Sequence, residues 1–442
     1  MKKVYLETYG CQMNVSDSER ASTALERDGF EVTSDESSAD VIILNTCSVR
    51  EKAEQKLYSR VGRIRHAARS KPVIGVMGCV AQLEGETLFR KIEGVDFVLG
   101  TRAVGRVGTA INEVIRTRRN VFDVGEREDN YDWTVADTHR HSPYVAFLPI
   151  IEGCNKFCTY CIVPFSRGRE RSFAAADIVD QVRELKDKGV REVHLIGQNV
   201  NSYRPETDSG LEGFEGKSAF SRLLHAVADT GIERIKFTTS FPRDFRNDIV
   251  DAIEQHPNLC NWVHLPVQSG SDRVLAAMKR GHTIDKYLKK IDRLRSSSRD
   301  IALTTDIIVG FPGETDADFL DTVKMVEYCG FDMAYIFKYS PRPGTPAYEM
   351  MDDVPPAEKT IRFMELERVQ KRVQTQRLQR YLNKVLKILA EGRSSRTDGG
   401  LTGHSTCHKV VNFNAPGDLL GEIVDVRIME VKANSLFGEL IS

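Results

Sequence analysis

The chain has 442 residues, a formal net charge of −1 and nine cysteines. That length implies two to four domains, and the near-neutral balance gives no compositional sign of a dedicated nucleic-acid binder. No apolar run approaches the roughly 18 residues of a membrane span, and "MKKVYLETYGCQMN" has neither an uninterrupted apolar stretch nor a small-residue cleavage site. A cytosolic chain with reduced thiols is expected, and the odd cysteine count argues against a closed disulfide framework.

The first part alternates strand and helix. "KKVYLETYG" reads as a strand and "SDSERASTALERDG" as a helix capped by Ser16 or Asp17 and stopped at Gly29. "ADVIILNT", "KPVIGVMG" and "VDFVLG" are further strands, with helices over "EKAEQKLYSRVGRIRHAARS" and "GETLFRKIEG" between them. Apolar strands in βαβα order imply a doubly wound parallel sheet covered on both faces, spanning 1–125. Residues 126–142 are polar and aperiodic, a linker. Over 143–375 six strand–helix units follow, with strands in "AFLPIIEG", "EVHLIGQN", "RIKFTTS", "WVHLPVQ", "IALTTDIIVG" and "AYIFKYS". This pattern predicts a (β/α) barrel, complete or partial. A basic helical stretch over 358–392 leads into 376–442, where short strands and Gly/Asn turns predict a small β-barrel.

Cys154, Cys158 and Cys161 follow directly on the first strand of the predicted (β/α) barrel. Carboxyl ends of parallel strands carry sites in such folds. Thiolates are soft donors suited to zinc or iron–sulfur clusters. A structural zinc site wants four ligands, whereas three thiolates on a [4Fe–4S] cube leave one iron open to a substrate or cofactor. Zinc completed from elsewhere, or cysteines that merely pack, remain alternatives. Cys11, Cys47 and Cys79 each end a predicted strand of the first sheet, 36 and 32 residues apart, one βα unit each. Parallel strand ends share one edge, so these thiols converge and suggest a second open cluster. The alternative is three core cysteines. Gly10 and Gly78 precede two of them and permit close backbone approach. Cys260, Cys329 and Cys407 show no such arrangement and read as packing residues.

"CNKFCTYC" resembles the signature of radical S-adenosylmethionine (SAM) enzymes. With "YGCQMN", "NTCSVRE" and "GCNKFCTYCIVPFSRGRERS", the chain resembles the radical SAM methylthiotransferase family, in its tRNA-modifying branch, over almost its whole length. The resemblance implies an N-terminal domain with an auxiliary [4Fe–4S] cluster on Cys11, Cys47 and Cys79. It implies a radical SAM [4Fe–4S] cluster on Cys154, Cys158 and Cys161, and a C-terminal TRAM-like barrel. It implies methylthiolation at C2 of N6-isopentenyladenosine 37 of tRNA, next to the anticodon, with SAM giving both the methyl group and a 5′-deoxyadenosyl radical. The implied partners are a tRNA anticodon stem-loop, a flavodoxin-type reductant and a sulfur donor, for a cytoplasmic monomer without a membrane. A sister enzyme acting on another tRNA adenosine or on a ribosomal protein, and a non-catalytic zinc-bound RNA-binding protein, are the other readings.

Gln198 and Asn199, in "IGQN", stand where relatives carry an element for the SAM amino group, although a polar loop explains them equally. Gln268, Asp306 and Gly310 lie at later strand ends and are further SAM-binding candidates. Asp306, inside an apolar strand, needs a partner if buried. Gly310 either admits an adenine or simply turns the chain. Arg167, Arg169 and Arg171 suit phosphate geometry, with surface salt bridges the alternative. Lys384 and Lys387 belong to the basic stretch 359–387, a phosphate footprint or a solvated face.

Overall fold

The computed structural model describes residues 1–48, 51–67, 71–125, 135, 139–395 and 399–441. The linker expected at 126–142 therefore lies mostly outside the described residues, as do Val49 and Arg50 of "NTCSVRE". The chain forms two compact units. One comprises Met1–His141, Phe147–Asn155 and Cys161–Arg171, and the other Ser142–Ala146, Lys156–Tyr160 and Ser172–Ser442.

The first unit is built on a six-stranded parallel sheet. Its strands are β1 (Lys3–Tyr9), β2 (Glu31–Thr33), β3 (Val41–Thr46), β4 (Val73–Gly78), β5 (Phe97–Leu99) and β6 (Val121–Asp123), in the order β2-β1-β3-β4-β5-β6. Strand β3 explains why both faces are covered. Val41 and Ile43 pack with Leu25 and Ile111, from helices α1 (Gln12–Arg27) and α5 (Val107–Thr117). Ile42 and Leu44 point the other way, to Leu57 and Leu88 of α2 (Glu51–Ala67) and α4 (Thr87–Lys91). Side chains alternate along a strand, and each such fully buried aliphatic contributes about 1.5–3 kcal/mol. Three readings are corrected. Helix α1 starts at Gln12 with Cys11 as its N-cap, not at Ser16 or Asp17. The edge strands β2 and β6 are too short to carry a period and escape pattern reading. The segment expected as one helix over "GETLFRKIEG" begins earlier, at Cys79, as α3 (Cys79–Glu84), and α4 follows.

The six barrel strands run in chain order, five of them within the second unit and the first, Val145–Pro149, divided between the units at Phe147. Arg234–Phe237 pairs in parallel with Glu192–Ile196, which neighbours the strand beginning at Val145. Trp262–His264, Ala302–Val309 and Met333–Lys338 form a second parallel sheet. A bridge between Ile235 and Leu259 leads from the first sheet toward the second. Five antiparallel and parallel strands over Val385–Leu440 close a separate small barrel. The helix expected to reach 392 ends at Gln379, because "VLKILAE" alternates apolar and polar and pairs as a strand. Lys384 and Lys387 are thus not helical. Most cations of that helix already hold carboxylates. Lys359 pairs with Asp352, Arg362 with Glu314 and Asp316, Arg368 with Glu365, Arg372 with Glu327 and Arg377 with Asp300. The helix is therefore largely a structural ionic layer rather than a free phosphate footprint. Among the described residues no helix is long and apolar enough to cross a membrane.

Candidate active site

In the first unit the strand ends bring Cys11, Cys47 and Cys79 to one edge. Cys11 caps the N-terminus of α1, where the N–H groups of Asn14 and Met13 and the helix dipole favour a thiolate. Hydrogen bonding with Cys47 is the largest influence; burial opposes it, the Arg167 charge reinforces it, and the thiol pKa falls to about 6. Burial pushes the Cys79 thiol up, against the pull of Arg167 and with a further upward push from Cys11. Cys11 thus neighbours both Cys47 and Cys79, and the Arg167 guanidinium acts on Cys11 and Cys79. A polar network fixes the edge. Asn45 Nδ2 donates to the Asn14 carbonyl at 2.7 Å and to Ser18 Oγ at 2.8 Å, and Asn14 Nδ2 donates to Asn45 Oδ1 at 3.2 Å. Gly78, at φ +96°, has Asn45 Oδ1 and the Thr46 carbonyl where a Cβ would stand, so its freedom serves this packing.

Arg167 does not occupy the surface position expected of a phosphate contact. It is buried, with Nη2 2.5 Å from Asp17 Oδ2 and Nη1 3.5 Å from Glu152 Oε1. Burial disfavours its charge, and Asp17 outweighs that. Its Nη1 has no hydrogen-bond partner although it is buried. Arg169 and Arg171 are exposed. Cys154 and Cys161 also belong to this unit. Cys154 N–H donates to the Gly168 carbonyl at 3.1 Å. Gly153, at φ +78°, faces the Arg169 carbonyl where any Cβ would collide, which fixes the chain entering Cys154.

Cys158 lies in the second unit, buried, with Arg280 Nη1 3.5 Å from its sulfur. Arg280 also donates to the Pro266 carbonyl at 2.6 Å and stacks 4.2 Å from the Phe241 ring centroid. Neither buried arginine was singled out as a thiol neighbour from sequence; each is remote in the chain from the cysteine it meets. Asn199 is buried, donates to Ser202 Oγ at 2.6 Å and leaves its Oδ1 without a partner. Ser202 in turn donates to Asp244, which pairs with Lys156 at 2.6 Å, so the loop holding Asn199 is tied to the cysteine loop. Gln198 is half-buried on the same loop. Gln268 adopts φ +80° at its strand end, as Thr239 does at +71°, and such non-glycine strain collects at functional sites. Asp306 is half-buried and lies 3.5 Å from His264 Nε2. Gly310 N–H donates to Glu314 at 2.6 Å and Lys359 covers its Cβ position, so protein packing accounts for this glycine. Cys260, Cys329 and Cys407 are buried, with burial the largest influence pushing Cys260 and Cys329 up to about 12.

Among the described residues no set of three His, Cys, Asp or Glu side chains is gathered tightly enough for a single metal ion. A cube-sized cluster holds its thiolates farther apart than one ion does. An all-thiol donor set beside a buried cation fits an iron–sulfur cluster better than zinc or a hard ion.

Family comparisons agree domain by domain. Residues 3–100 match Uncharacterized protein family UPF0004, 148–326 the Radical SAM superfamily and 379–441 the TRAM domain. A tRNA-2-methylthio-N(6)-dimethylallyladenosine synthase of Solibacter usitatus is 41% identical over 99% of this chain and 98% of its own. One of Coxiella burnetii is 43% identical over 100% of both. Among solved structures, the radical S-adenosylmethionine methyltransferase TsrM of Kitasatospora setae, with cobalamin and a [4Fe-4S] cluster bound, superposes with a TM-score of 0.57. It is 15% identical and covers 79% of this chain and 74% of its own, a likeness of fold.

Proposed function

The chain belongs to the family of tRNA-2-methylthio-N6-dimethylallyladenosine synthases, and from that membership we propose a division of labour between its two groups of thiols. The protein is a radical SAM transferase that methylthiolates tRNA, using SAM and [4Fe–4S] clusters. In our reading Cys154, Cys158 and Cys161 hold the cluster that engages SAM, and Cys11, Cys47 and Cys79 hold an auxiliary one. Bound there, such centres supply one electron to SAM and a place for the incoming sulfur. The aromatic C2–H of adenine has no acidic proton for a general base, which is why the chemistry calls for a radical.

The remaining roles belong to this chain's side chains. Gln198, Asn199, Gln268 and Asp306 line the strand ends where SAM would lie, and the unpartnered Asn199 Oδ1 suits a ligand ammonium. Gly310 keeps only the role of a turn. Arg169, Arg171, Lys384 and Lys387 meet the RNA, at the isopentenylated adenosine 37 of the anticodon stem-loop. A base in that loop can be splayed out and stacked. A sulfur donor and a flavodoxin-type reductant complete the reaction in the cytoplasm, with the protein as a monomer.

The strand register, Tyr9 beside Thr46 and Thr46 beside Gly78, sets Cys11, Cys47 and Cys79 at one edge of the sheet, and that placement supports this reading. Anaerobic reconstitution tests it. Wild type takes up about eight irons per chain, and a Cys11→Ala/Cys47→Ala/Cys79→Ala variant about four. The variant loses 2-methylthio product, read by nucleoside mass spectrometry. Zinc in place of iron, or product on a peptide rather than on tRNA, defeats the assignment.

A further inference from the structure

A concavity of about 380 Å³ in the second unit is used by none of the roles above. Its wall includes Arg243, Asn247, His282, Lys286, Lys289 and Lys290. The three lysines sit on the first turns of helix Ile284–Arg295, whose N-terminal dipole adds to their field. Lys289 pairs with Asp285 at 2.8 Å, Arg243 with Asp244 at 3.0 Å, and Lys290 donates to the Phe245 carbonyl at 2.6 Å. Lys286 is exposed and has no ion-pair partner among the described residues. The concavity is close to the thiol chemistry. Arg243 lies over the Phe241 ring, 5.4 Å from its centroid, and the same ring carries Arg280, which reaches Cys158.

His282 decides which anion fits. It is 8% exposed, and its Nδ1 is 3.2 Å from the Arg280 carbonyl. A carbonyl only accepts, so Nδ1 carries the proton. Burial first, then the Arg280 charge, keeps the ring neutral, with a pKa near 4. Nε2 therefore keeps a lone pair, and it is buried and without a partner in a residue of the concavity's wall. An acidic protein surface would bring carboxylates, which cannot donate to that lone pair. A ribose 2′-hydroxyl can, and its neighbouring phosphate suits the cations.

We propose that this concavity binds a ribose–phosphate unit of the substrate tRNA. Lys286, with Arg243 and Lys289, faces the phosphate, and His282 Nε2 accepts from a 2′-hydroxyl. The proposal rests on the tRNA reading above and extends it to a contact that distinguishes RNA from DNA.

The test uses reconstituted full-length protein and an isopentenylated anticodon stem-loop, with its all-2′-deoxy counterpart as second probe. Affinity is measured by fluorescence anisotropy over a salt series. Lys286→Ala weakens RNA binding about 3- to 10-fold and lowers the log–log salt slope by about one. Lys286→Glu, at an exposed position that any fold tolerates, weakens it further. His282→Phe removes a wild-type preference for RNA over the deoxy probe of about 2- to 10-fold, the value of one hydrogen bond. Wild-type RNA affinity in all three variants overturns the concavity and leaves the tRNA reading intact. No RNA binding by wild type overturns both. Unchanged RNA affinity with slowed reduction by a flavodoxin-type donor overturns it in favour of an acidic protein partner.

Discussion

Both groups of thiols keep a buried arginine beside them, and the two arginines are held in different ways. Arg167, in the first unit, sits between the Asp17 and Glu152 carboxylates and still reaches Cys79. Arg280, in the second, leans on a backbone carbonyl, an aromatic face, the Cys158 sulfur and the Tyr160 hydroxyl. One positive charge is held by carboxylates of the fold, while the other has a carbonyl, an aromatic ring, a sulfur and a hydroxyl about it. The difference teaches that a cation near a thiolate can be scaffold first or field first. Removing it should cost different things in the two places.

The largest effect is expected at Arg167. Arg167→Gln takes the nearest cation from the buried Asp17 carboxylate and leaves it Arg20 at 3.8 Å, and breaking such a buried pair costs about 3–5 kcal/mol. Denaturant unfolding should show this loss, together with iron lost from the cysteines of the first unit. Asp17→Asn added to Arg167→Gln should restore part of it, because a neutral pair needs no counter-charge. A loss under 1 kcal/mol for the single variant would make Arg167 a field residue like Arg280 and erase the contrast.

A third buried arginine serves as a control remote from any site thiol. Arg234 donates to the His404 and Lys387 carbonyls at 2.7 Å each and lies 3.6 Å from Glu192. Burial alone would raise the Glu192 carboxyl. The His194 hydrogen bond and the charges of His194, Arg234 and Lys236 prevail and hold it down to about 2. The unfolded carboxyl titrates near 4.3. Its contribution is therefore present above about pH 4.3 and lost as pH falls toward 2, on the order of 3 kcal/mol. Glu192→Gln should flatten this acid limb in a pH series of unfolding midpoints. An unchanged limb would mean that the layer is not what resists acid.

Arg280→Gln should cost less stability, about 1–3 kcal/mol, the range for losing hydrogen bonds such as that to the Pro266 carbonyl. Its larger consequence is electrostatic. Removing a positive charge beside a thiolate-bound cluster makes reduction harder, so the potential found by EPR-monitored titration should fall. If stability drops as far as in Arg167→Gln while the potential stays put, the two arginines play the same part.

How far these features were legible follows from their range. The cysteines end strands with strong apolar runs, such as "VIILNTC" and "VIGVMGC", so sheet, edge and thiols could be placed together. The six barrel strands were legible for the same reason. Cys11 as an N-cap was not, since cysteine is an unusual cap and Ser16 offered a better local signal. Arg167 was misjudged because "SRGRERS" looks like a surface run, and only the fold brings Asp17, 150 residues away, against it. Helix cations such as Arg362 were misjudged alike, as Glu314 and Asp316 meet them through tertiary packing alone.

Lys387 turns the same comparison around and gives the smallest stability effect. Its side chain is 68% exposed, with Asp425 at 3.4 Å. An exposed pair of that kind contributes about 0–1 kcal/mol, so Lys387→Ala should leave the unfolding midpoint almost unmoved. If Lys387 meets phosphate, stem-loop affinity still falls a few-fold at low salt, and the log–log salt slope drops by about one. Affinity would then move without stability, the reverse of Arg167, where stability moves because no phosphate can reach the buried guanidinium. A Lys387→Ala protein that binds the stem-loop as wild type does at every salt concentration would place the RNA track elsewhere on the second unit, and would leave the Lys286 concavity to account for the salt dependence.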